Sequence, residues 1–238
     1  MSIAIHIKVN EHLYTKDPQM SELGKNILKN SIIMIDEMGI TSFTFKKLAE
    51  RIQSTEASIY RYFENKHLLL HYLVNYYWEY VKARIEFSTS NIEDPITKLK
   101  KIFYVIITSS QRDLNTDYVD EDILYRIVLL EGAAISQSKS VDEENALGFY
   151  KAYKEISLSI GRLIQEINPS YPFPKNTANL LFSMALNTKH NAEHLPKLTD
   201  LKFTEDIDND LFELLCHYLD QLVIRYTSKT VPKGVLVY

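Results

Sequence analysis

TFKKLAERIQSTEASIYRYFENK, residues 44–66, decides how the chain folds. Thr44 is placed to cap a helix, its hydroxyl accepting from a backbone N–H that a helix start leaves free. Leu48 and Ile52 lie four apart and share a face, and Ala49 is small where a second helix has to cross closely. Gln53-Ser54 makes a short turn, Thr55 supplies a second cap, and the helix it opens turns Ile59 and Tyr62 inward. Two helices this short do not stand alone, because the first turn of a helix is costly to nucleate. Residues 21–38 supply a third, with Leu28, Ile32 and Ile35 at helical spacing and Gly39 just past its end. Crossing short helices joined by a tight turn make a helix-turn-helix, whose second helix fits the major groove of DNA.

Working outward, residues 1–20 show no clear period and read as a flexible arm. Helices are expected at 21–38, 45–52, 56–62, 66–88, 96–112, 121–138, 143–167, 176–194 and 206–227, separated by polar or Pro-containing joints. Alternating apolar patterns are scarce, and 6 Gly with 7 Pro do not suit a turn-rich β fold. The expectation is an all-α chain of about nine helices. It divides into the arm (1–20), a three-helix helix-turn-helix DNA-binding domain (21–66) and a larger helical domain (67–238), whose effector-binding and dimerising role only the family likeness given below implies.

Composition bounds the rest. With 238 residues, 45% hydrophobic and 24% charged, the chain has ordinary globular content and enough length for a sizeable core. Cys216 is the single cysteine, so no intramolecular disulfide forms. The start, MSIAIHIKVNEHLYTKD, lacks the basic and apolar regions of a signal peptide, and no run approaches 18 apolar residues. A cytoplasmic protein without membrane contact is expected. Net charge is −4; residues 1–75 carry nine Lys/Arg against eight Asp/Glu, and the remainder eighteen against twenty-three. That asymmetry has the sign phosphate binding favours, but it is too small to carry an argument.

The decisive stretch resembles the tetracycline-repressor (TetR) family. Members carry a Thr-capped helix, a small residue, a turn, a helix ending in an aromatic-rich run and a Lys shortly after. This chain has Ile59-Tyr60-Arg61-Tyr62-Phe63, then Glu64-Asn65-Lys66, with Gly39 and Thr44 at matching spacing. The likeness covers roughly residues 21–70 and departs at Gln53, where the family has Gly, and at Ser54, where it has an apolar residue. The resemblance implies that Thr44, Lys46, Tyr60 and Lys66 touch phosphates. It places Thr55, Glu56, Ala57, Ser58, Arg61 and Tyr62 on or beside the recognition helix. Ala57 and Ser58 suit base edges or a thymine methyl, and Arg61 suits a guanine.

In the family the C-terminal region dimerises and encloses an effector. Here helices 143–167 and 206–227 are the expected homodimer interface, the first for its apolar stripe beside small residues, the second because it is apolar nearly all round. Trp78, Phe103, Tyr104, Tyr125, Glu131, Tyr150 and Tyr153 are the expected lining of a site for an apolar or aromatic small molecule. The function implied is a DNA-binding transcriptional regulator, a repressor that a small-molecule effector releases from a palindromic operator. The alternative is a DNA-binding partner protein of the same fold that senses no small molecule. His190 and His194 share one helix face, but Pro196 ends that helix and a solvated end is the better reading, so no metal is expected. No nucleophile elbow, phosphate loop or paired-carboxylate signature appears, so neither an enzyme nor a cofactor is expected.

Overall fold

The computed structural model describes residues 6–112 and 116–227. Among them all regular structure is helical: α1 (Glu22–Ser42), α2 (Phe45–Arg51), α3 (Glu56–Tyr60), α4 (Lys66–Thr89), α5 (Pro95–Ile107), α6 (Glu121–Ser136), α7 (Val141–Ala146), α8 (Lys151–Ile167), α9 (Pro174–His194) and α10 (Ile207–Leu219). A π-helical turn, Asp220–Ile224, continues α10.

One helix more is present than the sequence periodicity suggests, because the expected helix 143–167 is two. Gly148 takes φ +83°, a left-handed value that most side chains resist. There the N–H of Phe149 reaches the carbonyl of Glu144 at 3.0 Å and that of Gly148 reaches Asn145 at 3.1 Å, the two bonds that close a helix with a left-handed residue. Gly148 is thus a stop between α7 and α8, not part of a small-residue face.

The chain forms two compact units, residues 1–88 with 105–156 and residues 89–104 with 157–238. In the first unit α1, α2 and α3 enclose Leu28, Ile32, Ile35, Phe43, Leu48, Ile59 and Phe63, all buried. The same unit holds α1 against α6. Arg126 grips Asp36 with Nε and Nη2 at 3.0 and 2.8 Å and also pairs with Asp122 one turn back on α6. The Glu131 carboxylate accepts from the backbone N–H of Ile40 at 3.1 Å, just beyond the kink that Gly39 introduces with φ +71°.

The N-terminal segment, expected as a flexible arm, is packed from residue 6 onward, while residues 1–5 lie outside the described part. Ile7, Val9 and Leu13 are buried. Gln19 is fixed on every polar atom: its amide donates to Ile7 O at 2.6 Å and Tyr72 Oη at 3.0 Å, and its Oε1 accepts from Ile7 N at 3.1 Å and Tyr118 Oη at 3.2 Å. Asn10 donates to Leu147 O at 2.9 Å, and Thr15 N to Tyr62 O at 2.8 Å. Sequence periodicity missed this because the segment is held by long-range polar bonds and two single turns, which have no period.

In the second unit Leu211, Leu215, Leu219 and Val223 form one buried stripe at four-residue spacing. The helix is therefore one-sided at full burial; Phe212, Leu214, Tyr218 and Leu222 are half-buried and Ile224 is exposed. Ile160 and Ile164 of α8 are buried, and Gly161 lies against α9, its missing Cβ 3.6 Å from Pro174 O and 3.7 Å from the Ala178 Cβ. The small residue on α8 thus serves a crossing within the chain. Lys189 of α9 pairs with Asp208 of α10, and Asn168 donates to the carbonyls of Val223 and Tyr226 at 2.8 and 3.1 Å.

Candidate nucleic-acid interface

The helix-turn-helix is built from two capped helices and one strained turn. Thr44 Oγ1 accepts from Lys47 N at 3.3 Å to open α2, and Thr55 Oγ1 accepts from Ser58 N at 3.2 Å to open α3. Between them Gln53 stands at φ +52°, the one non-glycine residue with positive φ among those described. Ser54 N bonds Ala49 O at 2.9 Å and Gln53 N bonds Glu50 O at 3.3 Å, so the left-handed turn persists although glycine is absent. The cost is on the order of 1 kcal/mol.

This construction leaves Thr44, Lys46, Thr55, Glu56, Ala57, Tyr60 and Arg61 exposed on one segment, with Ser58 half-buried. Tyr60 is 51% exposed while its ring meets Phe45 edge-on, with centroids 5.1 Å apart, so packing fixes its direction. Ser58 Oγ lies 2.9 Å from Thr55 Oγ1 and accepts from Arg61 Nη2 at 3.4 Å, which lays the guanidinium along α3. Glu56 sits in the first turn of α3, where a carboxylate is favoured by the helix dipole. Lys47 donates to Ser42 O at 2.8 Å, and Arg51 pairs with Glu37 at 2.9 Å, so these two cations serve the head itself.

Two residues expected at DNA have other partners. Tyr62 is 3% exposed and its hydroxyl lies 2.8 Å from Ser21 Oγ, the cap of α1. Its ring is core, with Lys16 Nζ 5.2 Å from its centroid. The Lys66 ammonium donates to the carbonyls of Ile40, Thr41 and Phe43 at 2.8, 3.2 and 3.2 Å. A cation is well placed there, because those carbonyls crowd the chain between α1 and α2.

The expected effector-lining residues are divided between the two units. Trp78, Tyr125 and Tyr153 gather in the first unit around Tyr77, with Tyr77–Trp78, Trp78–Tyr153 and Tyr77–Tyr125 centroids 4.9, 5.1 and 6.2 Å apart. Tyr77 itself, absent from the sequence-based set, is fully buried, with Oη 2.6 Å from Ser109 Oγ. Phe103 and Tyr104 belong to the second unit, where Phe103 is buried and Tyr104 lies half open against Phe212. Glu131 is held by Ile40, and Tyr150 donates to the Glu144 carboxylate at 2.5 Å.

That last contact belongs to a polar cluster that sequence reasoning passed over. Glu144 is buried, and burial by itself raises the pKa of a carboxyl; hydrogen bonds from Tyr150, His67 and Ser140 outweigh it and hold Glu144 down to about 2. Burial pushes the His71 imidazole below its ordinary value, with Glu144 opposing. His67 and His71 stand four apart in α4, a spacing visible in the sequence as HLLLH. Their carboxylate partner lies 77 residues from His67, and nothing local announces it.

Residues 27–73, spanning most of α1 through the first part of α4, match the family described as bacterial regulatory proteins, tetR family. Over that segment the chain is similar to the N-terminal domain of this family. No curated protein sequence matches the chain. Its fold is shared with solved structures. AibR, in a structure described as a complex with isovaleryl coenzyme A and operator DNA, is 15% identical, with 85% of this chain and 100% of that one covered and a TM-score of 0.59. The superantigen PfiT is 15% identical over 85% and 97% of the two chains, with a TM-score of 0.58. KstR2 of Mycobacterium tuberculosis, a ketosteroid transcriptional regulator, is 13% identical over 89% and 96%, with a TM-score of 0.56. At such identities the likeness is one of fold. No helix among the described residues is long and apolar enough to cross a membrane.

Proposed function

We propose that the protein is a sequence-specific DNA-binding transcriptional regulator, a repressor that a small-molecule effector releases from a palindromic operator. The observation that carries this reading is the exposed row on α2 and α3, held by two threonine caps over a buried core, inside the segment that matches the tetR family. Lys46, Thr44 and Tyr60 are the phosphate contacts; Thr55, Ala57, Ser58 and Arg61 face the base edges, and Glu56 meets a cytosine amino group or turns away. Tyr62 and Lys66 act at one remove, by holding the head. Two heads on one operator imply a homodimer, assembled through α8 and α10 with its π-helical continuation, where Leu158 and Ile224 stay exposed in the chain alone.

Release follows from linkage: an effector that binds better to a dimer of the wrong half-site spacing lowers DNA affinity by that preference. The cluster of Trp78, Tyr125 and Tyr153 supports an apolar or aromatic effector. Arg126 and Glu131 of α6, gripping Asp36 and Ile40 of α1, give the effector region a hold on the head. That AibR is described with both isovaleryl coenzyme A and operator DNA supports ligand control on this fold.

The test is a fluorescence-anisotropy titration of the purified protein against the DNA upstream of its own gene, with competitor DNA and at several salt concentrations. Arg61→Ala is expected to weaken operator binding by about 1–3 kcal/mol and leave random-sequence binding nearly unchanged. Lys46→Ala is expected to weaken both and to flatten the dependence of log K on log salt by about one unit. Equal affinity of the wild type for operator-region and random DNA would overturn the reading.

A further inference from the structure

His67, His71 and Glu144 bring three metal-ligating atoms within 4.8 Å of one another. The Nε2 of His67 lies 2.8 Å from Glu144 Oε1, that of His71 lies 3.3 Å from the same oxygen, and the two Nε2 atoms are 3.2 Å apart. A tetrahedral ion with bonds near 2.0–2.1 Å separates its ligand atoms by roughly 3.3 Å, so these three atoms already outline one face of such a site. The shortest edge needs to open by about half an ångström. We propose that His67, His71 and Glu144 bind a divalent first-row transition-metal ion of the zinc type.

The donor set selects the ion. Two imidazoles and one carboxylate suit zinc and its borderline neighbours, whereas magnesium and calcium take oxygen ligands. The surroundings are those a metal site requires. Ser140 Oγ donates to Glu144 Oε1 at 2.8 Å and Tyr150 Oη to Oε2 at 2.5 Å, which fix the carboxylate. His71 is buried against the Phe149 ring, with centroids 5.1 Å apart, and Asn75 ties its backbone carbonyl at 3.1 Å and that of Phe149 at 2.7 Å. His67 is about half exposed, which leaves an entry path and a fourth position for water or an outside ligand. The Gly148 turn is what brings Glu144, on α7, to the first two turns of α4.

The second histidine pair marks the contrast. His190 and His194 have the same spacing and ring centroids 4.7 Å apart, yet their near carboxylate is Glu193 on the same exposed helix end. The first pair meets a buried carboxylate from another helix. The ion would tie α7 to the residue following Lys66, and Lys66 holds the end of α1. A metal-dependent change in operator affinity therefore rests on the DNA-binding reading above; metal binding itself does not.

The test titrates the full-length, metal-stripped protein with Co2+ without DNA, reading the intense visible absorption of tetrahedral cobalt, and then displaces it with Zn2+. One equivalent is expected to bind. His67→Ala, at an exposed position that leaves the core intact, and Glu144→Gln are each expected to weaken binding by about 100-fold or more, and Tyr150→Phe by about 10-fold. The double variant His190→Ala/His194→Ala is expected to bind as the wild type does. Absence of a tetrahedral spectrum in the wild type would overturn the proposal. So would binding that survives His67→Ala and Glu144→Gln but is lost in the His190/His194 variant. An operator affinity unchanged by the ion, with binding intact, would remove only the coupling to DNA.

Discussion

The turn after α2 and the turn after α7 close short helices with the same pair of hydrogen bonds, but one is built on Gln53 and the other on Gly148. The bonds are 2.9 and 3.3 Å in the head and 3.0 and 3.1 Å in the body, and φ is +52° against +83°. Each turn aims something. The first sets the start of α3 relative to α2. The second sets Glu144 against His67 and His71. The head keeps its turn despite a residue that resists the conformation, because caps, core and outside ties over-determine it. The body turn is tied on both sides as well, by Asn10 to the Leu147 carbonyl and by Asn75 to that of Phe149, but it uses the freedom of glycine.

If outside ties hold the head, removing the strongest should have the largest effect. Lys66→Ala deprives three carbonyls of a charged donor, and a loss of about 2 kcal/mol in unfolding free energy is expected from denaturant titration. DNA affinity should fall with it, while the slope of log K against log salt stays as in the wild type. A slope about one unit shallower with unchanged stability would instead make Lys66 a phosphate contact.

The body turn ranks next. Gly148→Ala places a Cβ at a left-handed position, 3.4 Å from Asn10 Nδ2, and a destabilisation of about 1–2 kcal/mol is expected. Because the turn carries Glu144, the same variant should weaken Co2+ binding. Full stability with full metal affinity would show that α7 keeps its place without the turn.

These two turns also mark how far the sequence was legible. Local chemistry was readable throughout the head: Thr44 and Thr55 as caps, Leu48, Ala49 and Ile59 as core, Gln53 as the residue out of place. Each acts within a few positions, and the structure uses each in that way. Gly148 carries the same stop signal as Gly39 but stands inside a strong apolar period that runs on through it, so the period alone predicts one helix where there are two. Tyr62 and Lys66 were read by likeness as DNA contacts; their partners, Ser21 and the carbonyls near residue 40, lie over 20 positions away. Glu131 and Tyr150 have partners that no spacing rule supplies, and so does Arg126 in Asp36, although its second partner, Asp122, stands at the helical i−4 position. The aromatic residues are expected as the lining of an effector site; which of them meet one another is decided by the packing of helices.

The smallest effect is the sharpest probe of the comparison. Gln53→Gly should relieve about 1 kcal/mol of backbone strain in the folded head, and the added freedom of glycine in the unfolded chain offsets part of it. The net expectation is a gain of roughly 0.5 kcal/mol, read as a higher denaturant midpoint with an unchanged m-value. Operator affinity should not move, since glycine adopts the same left-handed turn and α3 keeps its aim. A loss of stability would mean that the Gln53 side chain contributes more than its conformation costs. A gain in stability with a loss of affinity would mean that the strain itself positions α3, and that the head, unlike the body, stores energy in its turn for use at DNA.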